Sequence, residues 1–332
     1  MSLININNQI GVAKYKQIVQ SVERALENGG LKVGDQLPSI NSIRKEFDLS
    51  RDTVLLAFNE LKLRGIVQSV AGKGYYVKSI NTNVKQKIFL LFDELNSFKE
   101  DIYNAFINNL DEHIDVDIFF HHFNIDVFNS LIYNNVGNYN YFIIMPANLR
   151  DAHVAIERLP HQKVYILDQT HPELSSYSAI FQNFEHDLYN GLVRLEKNIK
   201  DYEHITMVFS DDKQPQGFLL GFERFCSKNN LSYEIIPSLD DHQITTGEVY
   251  LIFEDKSLIT LIKEIKSNKL DLSKDVGIIS YNDTPLKEII EGGITSISTN
   301  FGYMGKRLAK MVMNKESISI KNPSSVIVRN SL

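Results

Sequence analysis

The chain has 332 residues, 43% apolar and 23% charged, which is enough for about two or three domains with packed cores. It contains no run of about eighteen or more apolar residues, so no membrane span is expected. The segment MSLININNQIGVAKYK lacks the basic-then-apolar order of a secretory signal, and Cys226 is the lone cysteine, which excludes an intramolecular disulfide and a cysteine-rich zinc site. These features predict a cytoplasmic protein. The net charge of −6 is unevenly spread: residues 1–80 hold 11 Lys/Arg against 7 Asp/Glu, and the remainder holds 24 against 34. A basic excess confined to one small segment fits a nucleic-acid-facing domain carried by a body that a phosphate backbone would repel.

In chain order, Ile18, Val22, Ala25 and Leu26 recur at helical spacing from Lys14 to Asn28, where Gly29-Gly30 ends the run. After a turn containing Gly34-Asp35 and Pro38, Ser39 can cap a second helix to about Phe47. Ser50 can cap a third, which buries Val54, Ala57, Phe58 and Leu61 and stops at Gly65. Ile66-Val67, the turn Ala71-Gly72-Lys73-Gly74 and Tyr75-Tyr76-Val77 then form a hairpin with a basic tip. Three helices and a hairpin in this order describe a winged helix-turn-helix over residues 1–79.

The start of the third helix is where such a domain presents side chains to DNA. Arg51 suits guanine or phosphate, Thr53 suits phosphate or a thymine methyl, Ser50 opens the same presenting turn, and Lys73 would reach phosphate or the minor groove from the wing. Ser39, Asn41 and Arg44 complete the expected DNA-binding set, with Lys14, Lys16 and Lys45 as further backbone contacts. The stretch LPSINSIRKEFDLSRDTVLLAFNELKLRGIVQSVAGKGYYV resembles the DNA-binding domain of GntR-family bacterial repressors. It departs from that pattern at Asn41 and Leu55, where arginine is common, so the resemblance carries no operator sequence with it.

Residues 80–86 are polar and read as a linker, leaving 87–332 as an effector-binding and dimerisation domain. Strands are expected at Ile88–Phe92, Val116–Phe120, Tyr141–Met145, Lys163–Leu167, Ala179–Phe181, Ile205–Phe209, Glu234–Ile236, Val249–Phe253, Val276–Ser280 and Ile294–Ser298. Amphipathic helical stretches lie between many of them, as at 98–113, 186–198, 215–230, 257–268 and 301–314. Repeated strand–helix units imply parallel sheets covered by helices, and so many strands need two sheets, hence two α/β lobes. IFLLFDELNSF, Gln216–Phe222, Asp275–Pro285 with Ile294–Ile297, and Met304–Ala309 resemble the sugar-binding domain of lac-repressor-type regulators, which is itself similar to periplasmic binding proteins. The combination resembles the arabinose-repressor type of bacterial sugar regulator.

In parallel sheets ligands sit beyond the carboxyl ends of the strands. Asp93, Asn96, Phe98, Arg150, Asp168, Asn183, Gln216, Asp255 and Asn282 close those strands or open the helices after them, and they are the candidate ligand residues. The resemblance implies contacts at Asp93, Asn183 and Asn282. Asp and Asn at such positions are also ordinary cap and turn residues. Gln216 and Phe218 stand where the resembled family has arginine, which favours a neutral monosaccharide over a sugar phosphate. His121-His122 lack a third ligand at metal spacing, and no GxxxxGK[ST], GxSxG or HExxH motif occurs, so neither a metal nor another cofactor nor catalysis is expected. Asp211-Asp212 and Asp240-Asp241 read as solvated loop charges. The expected function is a dimeric repressor that binds double-stranded operator DNA under control of a small carbohydrate, with ligand closing the lobes about crossovers near 181–187 and 280–298. The alternatives are an aminotransferase-like body or a non-sugar effector behind the same DNA-binding head.

Overall fold

The computed structural model describes residues 3–7, 12–210 and 214–332; Asp211 and Asp212 fall outside them. The chain opens with α1 (Lys14–Glu27), α2 (Ile40–Phe47) and α3 (Arg51–Leu63), followed by the hairpin β1 (Val67–Val70) and β2 (Gly74–Val77). Ser39 accepts from the Ser42 amide and Ser50 from the Thr53 amide, so each cap satisfies a backbone donor that its helix would leave bare. Ile18, Val22, Leu26, Ile43, Val54, Phe58 and Leu61 bury one stripe of each helix against Ile66, Val67 and Val77.

Between this head and the body, residues 79–85 take no helix or strand but are firmly tied. Arg64 is 6% exposed. Its guanidinium donates to Glu23, to the Thr82 carbonyl at 3.0 Å and to the Val84 carbonyl at 2.9 Å. Thr82 Oγ1 donates to Glu27 at 2.9 Å, and Lys85 Nζ lies 3.2 Å from Glu23. The amide of Lys85 meanwhile donates to the His113 carbonyl in the body. Gly65 adopts φ 70°, and a Cβ there would stand 2.7 Å from Cδ of Lys87.

The body begins with β3 (Gln86–Phe92), α4 (Ser97–Ile107), β4 (Ile114–Phe120), α5 (Ile125–Asn135), β5 (Tyr141–Ile144), α6 (Ala152–Ile156), β6 (Val164–Asp168) and β7 (Ser178–Phe181). It continues through α7 (Phe184–Ile199), β8 (His204–Val208), α8 (Gln216–Asn229), β9 (Ser232–Ile236), β10 (Glu248–Ile252), α9 (Asp255–Ser267), β11 (Val276–Tyr281), α10 (Pro285–Ile289) and β12 (Thr295–Thr299). It ends with α11 (Phe301–Asn314), β13 (Ser319–Lys321) and β14 (Ser324–Ile327). Two six-stranded sheets result, ordered β13-β7-β6-β5-β3-β4 and β14-β12-β11-β10-β8-β9.

The first sheet is parallel throughout, whereas β14 runs antiparallel to β12, which departs from the wholly parallel expectation. Both β13 and β14 are short and serine-bearing, without the apolar run of strands such as β3, β6 and β11. Apolar residues of α4 and α11 cover one face of the first sheet, and those of α5 and α6 the other. Residues of α7 and α8 pack on one face of the second sheet and those of α9 on the other.

The chain crosses between lobes three times, at 181–184, 299–301 and 321–324. The second crossing lies just beyond the expected 280–298, and the third was not anticipated. Asn322 is 1% exposed and ties all three together. Its amide donates to the Phe181 carbonyl at 2.7 Å, and its Nδ2 donates to the Asn300 carbonyl at 3.0 Å. Asp187, 3% exposed, accepts from Lys321 at 2.8 Å, Ser324 at 3.0 Å and the Asn183 amide at 3.1 Å.

Removing the Arg64 side chain leaves Glu23 with Lys85 as its remaining cation and takes the donor from the Val84 carbonyl, while the Thr82 carbonyl keeps Lys85. One-sided loss of this kind is the costly way to break a buried pair. Arg64→Ala is expected to destabilise the head by about 3 kcal/mol in urea unfolding and to speed proteolysis within 79–85. A variant as stable and as resistant as the parent would show that the strap carries no energy.

Candidate functional site

Two faces gather the candidate residues. On the head, a concavity of about 530 Å³ is lined by Ser39, Asn41, Arg44, Arg51 and Lys73, with Gln36 and Tyr75 behind them. Ser50 and Thr53 sit beside it at the N-terminus of α3, their hydroxyl oxygens 2.8 Å apart. Arg51 makes no hydrogen bond or ion pair among the described residues, and Arg44 reaches only Asn41 Oδ1, at 3.4 Å. Exposed guanidinium groups around a helix N-terminus present donors and positive charge outward, which suits a phosphate backbone. The sequence reading missed Gln36. Its Nε2 donates to the Lys73 carbonyl at 2.6 Å and so fixes the wing tip that carries the lysine.

The second face is the cleft between the lobes, where the carboxyl ends of both sheets meet. A cavity of about 360 Å³ is lined by Asp93, Asn96, Phe98, Asp168, Asp255 and Asn282. A wider one of about 960 Å³, lined by Arg150 and Gln216, shares Gln169, Gln182, Phe184 and Pro215 with the first. Asn183 is placed apart from the rest of the expected set: it lines neither cavity, and its side chain caps α7 by accepting from the His186 amide at 3.1 Å. Asn96 also acts as a cap, accepting from the Lys99 amide, but it remains in the lining.

The floor is a buried charge network. Lys99 Nζ stands 3.4 Å from Asp93 and 3.7 Å from Asp168. Burial pulls the Lys99 ammonium toward release of its proton, but the Asp168 and Asp93 carboxylates outweigh this and hold its pKa above the ordinary value. Gln182 donates to Asp168 Oδ1 at 2.6 Å, while its carbonyl oxygen accepts from the Thr299 hydroxyl and, at 3.5 Å, from the Tyr281 hydroxyl. One amide thus joins the first lobe's carboxylate to the second lobe and to the second crossing. Lys287, fully buried, donates to the carbonyls of Tyr281 and Asn282 and pairs with Asp255 at 3.3 Å, so it fixes both candidates at once. Burial nevertheless lowers its pKa, against the pull of Asp255.

Aromatic rings form the walls. Phe98 stacks on Phe301 at 5.0 Å in the first lobe, and Phe218 meets Phe253 at 4.7 Å and Tyr281 at 4.5 Å in the second. Four non-glycine residues of the lining, Phe123, Ala147, Asp168 and Asn282, adopt φ between 50° and 70°. Left-handed backbone in such residues is costly and concentrates where a surface must be shaped for a ligand. His121, by contrast, is a core residue, with Nε2 at 3.0 Å from the Met145 carbonyl. Cys226 is buried, which pushes its thiol up to about 12, a value unsuited to reactivity.

Lys99, Gln182, Phe253 and Tyr281 escaped the sequence reading, which noted Phe218 only as standing in place of a family arginine. For Lys99 a signal existed, since a lysine in the first turn of a helix opposes the macrodipole and needs a compensating anion. Gln182 carried no such mark.

Residues 14–77 match the family described as "Bacterial regulatory proteins, gntR family". Over 105 residues the chain is 35% identical to the mannosyl-D-glycerate transport/metabolism system repressor MngR of Escherichia coli (strain K12), a match covering 32% of this chain and 40% of that protein. The body is similar in fold to a dimeric lac repressor with a C-terminal deletion, with a TM-score of 0.63 and 14% identity over 74% of this chain and 98% of that one. It is likewise similar to a LacI family transcriptional regulator from Enterococcus faecium with bound ribose, with a TM-score of 0.58 and 16% identity over 74% of this chain and 98% of that one. The head is thus a gntR-type winged helix-turn-helix, and the body has the two-lobed fold of lac-repressor-type regulators.

The loop that carries Asn282 is clamped by Arg329, which grips both oxygens of Asp283 at 2.6 and 2.8 Å. Burial alone would raise the Asp283 pKa, but the Arg329 hydrogen bonds and charge hold it below the ordinary carboxylate value. Its contribution to stability is therefore present above the ordinary carboxylate range and is lost as pH falls through the depressed folded value. Asp283→Asn is expected to flatten the acid limb of a stability-against-pH profile. An acid limb parallel to that of the parent would contradict the assignment.

Proposed function

We propose that this chain is a transcriptional repressor that acts in the cytoplasm as a homodimer on double-stranded operator DNA. Its operator affinity is controlled by a small neutral carbohydrate bound between the lobes. The observation that carries this reading is the conjunction of an outward-facing cationic helix terminus with a cleft that pairs a carboxylate–amide floor with aromatic walls. Carboxylates and amides suit sugar hydroxyls, and aromatic rings suit the apolar face of a pyranose or furanose. The gntR-type head, the repressor named among its relatives and the ribose held by a regulator of the same fold support the reading. So does the dimeric lac repressor, for the assembly.

The head (1–79) reads DNA through Arg51, Thr53 and Ser50, positioned by phosphate contacts from Ser39, Asn41, Arg44 and Lys73. The segment 80–86 joins it to the body (87–332), which binds effector through Asp93, Asn96, Phe98, Asp168, Asp255 and Asn282, with Arg150 and Gln216 at the mouth. Ligand that touches both lobes favours the closed arrangement by its differential affinity for it. Closure pivots at the three crossings and resets the spacing of two heads that must meet half-sites about one helical turn apart. The body binds its ligand and does not turn it over.

Arg51→Ala is expected to cost about 1–3 kcal/mol of specific operator affinity, whereas Lys73→Ala should weaken binding on all sequences and lower the salt slope by about one. Band shifts at several salt concentrations separate the two. A monosaccharide panel titrated into the same assay tests the effector, and a panel in which no sugar alters operator affinity or thermal stability would refute sugar control.

A further inference from the structure

We propose that Lys99 sets the charge selectivity of the cleft: its ammonium occupies the place that a ligand's own ammonium would take, so the site accepts a hydroxylated neutral ligand and turns away its amino counterpart. The inference rests on the cleft being the effector site. Lys99 is the third residue of α4, directly beside the end of β3, and is 8% exposed. Asp93 and Asp168, its partners, are each 7% exposed. Two carboxylates taken out of water repel one another and require a cation between them.

The surrounding charge sharpens that requirement. Glu94 and Glu254 also line the cavity, and the Glu254 side chain has no ion pair or hydrogen bond among the described residues. Asp255 already has Lys287. Among the described residues the lining of this cavity therefore carries more carboxylates than cations, and Lys99 is the cation that offsets Asp93 and Asp168.

The separations of 3.4 and 3.7 Å also matter. A charge-assisted hydrogen bond closes to about 2.7–2.9 Å, so the ammonium does not spend its donors fully on either carboxylate. A ligand hydroxyl can accept from Lys99 and donate to Asp93 or Asp168 in the same place. A ligand ammonium can donate to the carboxylates but offers Lys99 no acceptor, and it adds a like charge.

The test uses the full-length protein, Lys99→Met and Lys99→Arg, titrated calorimetrically with neutral monosaccharides and with their 2-amino-2-deoxy counterparts. The parent and Lys99→Arg should prefer the neutral member of the responsive pair. Lys99→Met should lose about thirtyfold or more for the neutral sugar and reverse the order toward the amine. In parallel, methylammonium chloride, with sodium chloride as control, should raise the melting temperature of Lys99→Met saturably and leave the parent unchanged. Should Lys99→Met fail to fold, Lys99→Met/Asp168→Asn carries both comparisons, with Asp93 as the remaining carboxylate. Unchanged sugar preference in the variant, or no rescue by methylammonium, overturns the role of Lys99. A parent that binds no sugar while its Lys99→Met variant is rescued overturns the sugar reading and leaves the charge role standing.

Discussion

The two-lobed body depends on how three chain crossings are held at one place. Asn322 reaches the first crossing through its amide and the second through its side chain, while belonging itself to the third. Asp187 adds a buried carboxylate that gathers Lys321, Ser324 and the Asn183 amide. A buried carboxylate is tolerable only when its oxygens are filled, and here every partner comes from a crossing or the helix that follows one. The three crossings are therefore fixed to one another at a single place between the lobes.

From that pivot the cleft floor follows. Gln182 lies in the first crossing and donates to Asp168, which shares Lys99 with Asp93. The same amide accepts from Thr299, at the start of the second crossing, and from Tyr281. A ligand that rearranges hydrogen bonds at Asp168 thus acts on a residue whose other bonds belong to the hinge. Asp168 and Asn282 hold left-handed backbone on opposite sides of this floor, one in each lobe. Such shaping is stable only because the surrounding network over-determines it.

What could be read beforehand divides along a physical line. Helix caps at Ser39 and Ser50, the buried stripe of α3 and the glycine-bracketed wing are local patterns, and the structure keeps them where the sequence placed them. Most of the parallel strands were legible because inner strands such as β3, β5, β6, β10 and β11 are largely apolar runs, whereas β12 (TSIST) is not. The rule that ligands lie beyond strand ends then pointed at Asp93, Asp168 and Asn282 as candidates. The third crossing was not legible, since β13 and β14 owe their existence to pairing with β7 and β12 rather than to their own apolarity. Asn183 shows why a strand end is ambiguous in sequence, since a helix cap and a ligand contact look alike there. Gln182 and Thr299 are 117 positions apart, and no local pattern announces such a bond.

The strap between head and body has a mechanical meaning. Arg64 draws residues 82–84 against α1, Lys85 bonds both to Glu23 and to the His113 carbonyl, and Gly65 lets Lys87 pass at van der Waals range. A slack tether would let the head tumble and would dissipate any rotation of the body before it reached the wing. A tied one joins head and first lobe, so that any change of angle between the lobes would carry the head along with the first lobe.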